Sequence, residues 1–212
     1  MNKAFDIIFN DESLIAVNKK VKILTCSNRK GGLDILTLLQ KEMKTRVFPC
    51  HRLDRETTGI LIFARGKKTR AELMEQFRDR KIEKGYLAFV RGKIKPDEGK
   101  LESFILDKEG RRFGERRKKA LTYYKLIKDK GFFSYLSLKP VTGRRNQLRI
   151  QLAQIGHPIL GERKYALGRD FRVKFRRLAL HASAISFIHP LSRERIGLRV
   201  GLPPDMENFL KR

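Results

Sequence analysis

Asp54 is the residue whose setting most suggests chemistry. It lies between Arg52 and Arg55 in the string His51-Arg52-Leu53-Asp54-Arg55-Glu56-Thr57-Thr58-Gly59, just ahead of the apolar run Ile60-Leu61-Ile62-Phe63. Neighbouring cations keep a carboxylate ionised at neutral pH, whereas burial without partners would protonate it, so Asp54 has the charge state of a nucleophile or a base. The plainer alternative is an Asp that pairs with Arg52 or Arg55 or shapes a turn, and the short string alone favours it, because such residues are common. A second cluster, Thr142-Gly143-Arg144-Arg145-Asn146-Gln147-Leu148-Arg149, reads as a helix start with Thr142 as its cap. Leu148, Leu152 and Ile155 would then fall on one face and Gly156 would end the helix. Arg145 and Arg149, four residues apart, would share another face and could both point at a carboxylate or phosphate, unless the helix is simply basic and solvated.

These clusters need a scaffold, and the apolar pattern supplies a mixed one. Ile7-Ile8-Phe9 and Leu14-Ile15-Ala16-Val17, separated by Asn10-Asp11, predict a hairpin. Helical spacing appears over 33–43 (Ile35, Leu38, Leu39, Met43) and 69–80 (Leu73, Met74, Phe77). Stretches rich in Ile, Val, Phe and Tyr predict strands at 59–64, 86–91, 121–127, 134–139, 181–187 and 195–200. Strands that succeed one another over short turns favour an antiparallel or mixed sheet flanked by helices, so the expected class is α+β. With 212 residues, 41% hydrophobic content and no linker or repeat, the expectation is one domain spanning 1–212.

The charge balance names the kind of partner. Forty-nine Lys and Arg against 23 Asp and Glu give a net +26, which attracts polyanions without telling RNA from DNA or from anionic membrane. Membrane is the weaker choice, since no run reaches about 18 apolar residues and Met1-Asn2-Lys3-Ala4-Phe5-Asp6 lacks the apolar centre of a signal peptide. A cytoplasmic location follows as an expectation. Cys26 and Cys50 fit a reducing compartment and match no zinc or redox spacing. Positive charge collects over 108–130, with Arg112, Arg116 and Lys118 among Phe113, Tyr123 and Tyr124, and over 163–177, among Tyr165, Phe171 and Phe175. Phosphates held by charge and bases stacked on rings suit structured or looped RNA, although many of these rings would equally serve a core.

Taken together and in order, the two clusters resemble the RluA family of pseudouridine synthases. The likeness extends through Phe77-Arg78-Asp79-Arg80, Lys84 and Tyr86, Lys119-Ala120-Leu121-Thr122-Tyr123-Tyr124, Gly156-His157-Pro158-Ile159-Leu160-Gly161-Glu162-Arg163, Leu180-His181-Ala182 and Pro203-Pro204-Asp205. The resemblance implies the pseudouridine synthase catalytic fold and an enzyme that isomerises uridine in folded RNA: the glycosidic bond breaks, the uracil turns, and its C5 rejoins the sugar. It implies neither metal nor cofactor. Asp54 would start the reaction, by attacking ribose C1′ or by removing the C2′ proton to give a glycal. Arg149 would be the cation that keeps Asp54 ionised, and Tyr86 would pack on the uracil and assist loss of the C5 proton. Leu148 and Ile60 would add apolar walls if they are not plain core residues. The target nucleotide would have to be extruded, at a cost of about a few kcal/mol. Arg52 would fill the vacated stack or grip a phosphate, His51 would mainly order the loop at the RNA-binding surface, and Arg144, Arg112, Arg116 and Lys118 would bind RNA.

The chain departs from the family pattern in three places. Arg145-Asn146 stands where relatives usually have Thr or Ser followed by His, Thr58 stands where Ser is usual, and Val17-Asn18-Lys19-Lys20 lacks the Pro that commonly follows the first Lys. The length leaves no room in front for a small S4-type RNA-binding domain, so the expectation is a compact, monomeric enzyme acting on transfer RNA, ribosomal RNA or both. The rivals are a non-catalytic RNA-binding or chaperone protein on the same fold, and a nuclease or glycosylase that uses one carboxylate. Retention of Asp54, Tyr86 and Arg149 together speaks against the first. A metal-dependent nuclease would need further clustered Asp, Glu or His, which the sequence lacks.

Overall fold

The computed structural model describes residues 3–27, 33–107, 116–166 and 173–212. Its strands are, in chain order, β1 (Phe5–Asn10), β2 (Leu14–Lys19), β3 (Phe48–Pro49), β4 (Thr58–Ala64), β5 (Glu83–Arg91), β6 (Glu98–Asp107), β7 (Arg116–Asp129), β8 (Phe133–Pro140), β9 (Leu180–Ile188) and β10 (Arg195–Arg199). Its helices are α1 (Ile35–Met43), α2 (Lys67–Arg78), α3 (Gln147–Gln154) and α4 (Pro204–Leu210). They divide into two compact units, Met1–Glu83 with His181–Arg212, and Lys84–Leu180. Among the described residues no helix is long and apolar enough to cross a membrane.

In the first unit the strand order is β1-β2-β4-β9, with β3 on β4 and β10 on β9. Asp11 makes the predicted hairpin turn by accepting hydrogen bonds from the amides of Ser13 and Leu14, both at 2.8 Å. Every residue of β4 is buried, as its unbroken apolar run requires, and Leu73 of α2 joins Leu14, Ala16, Ile60, Ile62, Ile185 and Phe187 in one core cluster. β4 pairs in parallel with β9 at Thr58↔His181 and Gly59↔Ala182, while its other pairings are antiparallel, which gives the mixed sheet of the α+β class. Gly59 permits that parallel contact, because a Cβ there would lie 2.2 Å from the Ala182 carbonyl oxygen and φ is +112°. Asp34 caps α1 by accepting from the Thr37 amide at 2.8 Å.

The second unit is an antiparallel sheet in the order β5-β8-β7-β6, with α3 beside it. β6 has no counterpart among the predicted strands. Its sequence, Glu-Gly-Lys-Leu-Glu-Ser-Phe-Ile-Leu-Asp, alternates, but of residues 98–106 only Leu101 and Ile105 are buried, and Phe104 on the other face is 65% exposed. A strand with one wet face and two apolar anchors is hard to see in composition.

The start of α3 corrects the expected cap. The helix begins at Gln147, its N-cap is Asn146 in the left-handed conformation, and Arg145 lies outside it, so Arg145 and Arg149 share no helix face. Thr142 instead donates to Gln147 Oε1 at 2.6 Å and accepts from the Leu121 amide at 3.0 Å. Leu148 and Leu152 are buried as expected, but Ile155 lies past the last helical residue and is 43% exposed. A buried polar seam ties the helix to the sheet. Gln147 donates to Leu121 O and Thr122 Oγ1 and accepts from Thr142 and the Arg144 amide, while Gln151 accepts from Thr122 and donates to the carbonyls of Leu101 and Ala120. With partners on both ends of both amides, the seam aligns α3 by direction as well as by contact.

Candidate active site

Alternation through Arg52-Leu53-Asp54-Arg55 buries Leu53, half-exposes Asp54 and leaves both arginines exposed. The backbone on each side of Asp54 is held by a residue distant in sequence. The Thr25 hydroxyl donates to the Leu53 carbonyl and accepts from the Leu53 amide, both at 3.1 Å. Lys19, fully buried, donates to the carbonyls of Lys20 (3.0 Å), Ile23 (2.9 Å) and Arg55 (3.2 Å). Arg55 donates through Nε to Lys22 O at 3.1 Å, and the Asp54 carbonyl accepts from the Thr57 amide at 3.1 Å, closing a tight turn. The loop thus presents Asp54 from a braced backbone.

His51 acts as scaffold. Its Nε2 accepts from the Ile62 amide at 3.1 Å, which puts the proton of the neutral ring on Nδ1, and the ring tilts onto Phe77 at 5.2 Å between centroids. The Thr58 hydroxyl lies 2.9 Å from Nδ1 of buried His181, so the hydroxyl common to Ser and Thr keeps a partner here.

In the second unit, Tyr86 is a half-buried residue of β5, paired with Leu138 of β8. Lys84 lies two residues earlier and therefore on the same face of the strand. Its ammonium donates to the Thr142 carbonyl at 3.3 Å, and a Cβ at exposed Gly143 would lie 3.5 Å from it. Among the described residues no carboxylate pairs with Lys84, and burial lowers its pKa to about 8.

Arg149 projects from α3 into a bidentate pair with Glu162: Nε to Oε2 at 2.6 Å and Nη2 to Oε1 at 2.9 Å. The Glu162 side chain is fully enclosed, and its Oε1 also accepts from the amides of Lys164 (2.7 Å) and Tyr165 (3.2 Å). Burial by itself would raise the Glu162 carboxyl; the guanidinium and the two amides outweigh it and hold the group below the usual range. Gly161 lets the chain turn into this position, since its φ is +80° and a Cβ would sit 1.8 Å from the Arg177 carbonyl oxygen.

The expected RNA-binding residues fall in different settings. Arg52 and Lys118 are exposed, and partly exposed Arg144 donates through Nε to Lys119 O at 3.4 Å. Arg112 lies outside the described residues, and Arg116 enters only through the backbone that begins β7. Of the basic block at 163–177, Arg177 belongs to the interior: it is buried, donates to Leu178 O at 2.8 Å and packs over Phe175. Tyr124 is buried as well, while neighbouring Tyr123 is 49% exposed, as strand alternation requires. Among the described residues no group of three or more His, Cys, Asp or Glu is placed to hold a metal ion. Glu162 and Lys84 are the site candidates that sequence reasoning left without a role, although both stand inside strings already singled out.

Comparison with known proteins places the chain. Residues 13–154 match the family model described as RNA pseudouridylate synthase. A tRNA pseudouridine synthase C from Vibrio parahaemolyticus is 33% identical over 98% of this chain and 94% of its own length. A dual-specificity RNA pseudouridine synthase RluA from Pasteurella multocida is 35% identical over 89% of each chain. The structure of human RNA pseudouridylate synthase domain containing 4 shares the fold, with a TM-score of 0.80 over 97% of this chain and 91% of its own, at 24% identity. A match over most of the sequence, relatives above 30% identity along nearly the whole chain and a shared fold mean that this chain belongs to the RluA family of RNA pseudouridylate synthases.

Proposed function

We propose that this chain isomerises uridine to pseudouridine in structured transfer RNA, ribosomal RNA or both, as a cytoplasmic monomer. Asp54 acts as nucleophile or base at the ribose, Tyr86 contacts the uracil, and Arg149 is the cationic member of the site. The observation that carries this reading is Asp54 itself, the family's acidic residue, on a loop braced by Thr25 and Lys19. A loop held on both sides of one half-exposed carboxylate suits an enzyme better than a binding module, which needs charge but not a fixed acid. Exposed Arg52 fills the gap left by the extruded nucleotide. His51 keeps the loop in register, and Arg144, Lys118, Arg112 and Arg116 hold phosphates. The curated relatives point to both RNA classes: the Vibrio protein is named for tRNA, and a protein from Buchnera aphidicola at 30% identity is named for the ribosomal large subunit.

Tritium release from transfer and ribosomal RNA carrying tritium at uridine C5 tests the proposal. The wild-type protein should release tritium from at least one RNA, and Asp54→Asn should release none while binding RNA as tightly. Turnover by Asp54→Asn would end the role of Asp54, and tight binding without release by the wild type would favour the chaperone reading.

A further inference from the structure

The departure from the family pattern at Asn146 has a specific setting. Asn146 sits at φ 56° and ψ 23°, a left-handed conformation that Asn tolerates better than most residues, and from there its side chain reaches in two directions. Its Oδ1 accepts from Arg149 Nη1 at 3.2 Å, and its Nδ2 donates to the Tyr165 hydroxyl at 2.8 Å. The amide orientation follows from chemistry, because a guanidinium has no acceptor and must meet the oxygen. Tyr165 closes the figure by placing its ring 5.2 Å from the guanidinium carbon of Arg149. Glu162 then holds the Nε edge and receives the Tyr165 amide. The guanidinium is gripped at Nε and at both terminal nitrogens and is covered on one face, so at least three of its five N–H groups are committed and its plane is set.

We propose that Asn146, Tyr165 and Glu162 are positioning residues that fix the Arg149 guanidinium for the isomerisation, with the Asn146–Tyr165 hydrogen bond as a latch suited to this chain's own second motif. The inference rests on the assignment of Arg149 to the site under Proposed function. A residue that merely stabilised α3 would show its loss in folding or in RNA affinity. A residue that aims a charged group shows its loss in the rate of the bound complex. The latch makes a narrower demand as well: the Tyr165 hydroxyl acts through Asn146, so removing either member removes the same function.

The test compares wild type with Asn146→Ala, Tyr165→Phe, the double variant and Glu162→Gln. Single-turnover tritium release at saturating RNA and RNA affinity by fluorescence anisotropy are both measured, with thermal unfolding as a check on folding. Each single latch variant should lose about tenfold in rate, and Glu162→Gln about a hundredfold, with affinity within about twofold of wild type. The double variant should be no slower than the slower single. Unchanged rates, losses confined to affinity, or a double variant slowed by the product of the two single effects would each overturn the latch. Release by the wild type is the internal control: its absence would count against the synthase reading and would be visible before any variant is compared.

Discussion

Lys84→Met should stabilise the protein and weaken it as an RNA-binding enzyme. The Lys84 ammonium is desolvated, and its pKa falls from 10.5 to about 8 with no carboxylate among the described residues in compensation. At roughly 1.4 kcal/mol per unit, holding that charge in the fold costs about 3 kcal/mol at neutral pH. The hydrogen bond to the Thr142 carbonyl returns part of it, on the order of 1 kcal/mol at 3.3 Å. Methionine has a similar length and no charge, so the variant should gain about 2 kcal/mol, or about 4–8 °C in Tm for a chain of this size. The pH dependence carries the sharper signature. Between pH 8 and 10.5 the unfolded chain holds the Lys84 proton and the folded chain does not, so wild-type stability rises relative to the variant across that window. The gap should be full below about pH 8 and shrink by about 3 kcal/mol up to pH 10.5, ending there slightly in favour of the wild type through its hydrogen bond. Urea unfolding followed by circular dichroism at pH 7, 9 and 10.5 measures it. A gap of zero at pH 7, or one that persists undiminished at pH 10.5, would refute the claim that an uncompensated buried charge is the cause. The same variant should bind RNA more weakly, which would explain why a costly cation is kept beside Tyr86.

Gly161→Ala should destabilise by at least about 3 kcal/mol and depress turnover, because the new Cβ would collide with the Arg177 backbone and carry Glu162 with it; near-wild-type unfolding would show that the turn can relax. Thr25→Val conserves shape but strands the amide and carbonyl of buried Leu53, so it should cost about 2–3 kcal/mol and slow tritium release through the loosened Asp54 loop, with RNA affinity retained. Glu162 is held ionised in the fold below its ordinary pKa of 4.5, so its stabilising contribution is present above that pH and is lost as pH falls beneath it. Acid titrations of stability should therefore show a shallower decline below pH 4.5 for Glu162→Gln than for wild type.

Much of this fold is legible in the sequence where one physical signal dominates. β4 is apolar enough to leave no alternative, and α1 and α2 announce themselves by spacing. β6 escapes because its outward face carries Lys100, Glu102 and the exposed Phe104, and α4 because seven residues are too few to establish a period. The beginning of α3 is misread because Thr142 looks like a cap, while its hydroxyl is taken by the Gln147 side chain. The site divides in the same way. Asp54 stands out by its immediate neighbours, but the groups that brace it, Thr25 and Lys19, lie far off in the chain, and nothing local links them to it. Glu162 has no neighbour in the chain that hints at a role, because its partner Arg149 is on another element.

The glutamine seam beneath α3 has a consequence for how this sequence can drift. Thr122 joins the two glutamines by accepting from Gln147 and donating to Gln151, so an apolar replacement at Thr122 takes the donor from Gln151 Oε1, one at Gln151 takes the acceptor from the Thr122 hydroxyl, and one at Gln147 takes it from the Thr142 hydroxyl. The three positions can change together or hardly at all, whereas Gly143, Arg144 and Arg145, which precede the helix, are exposed or half-exposed and leave no comparable hole when replaced. Substitutions in the turn that leads into α3 should therefore cost less stability than substitutions in the seam, so the surface ahead of the helix can be altered without loosening the helix itself.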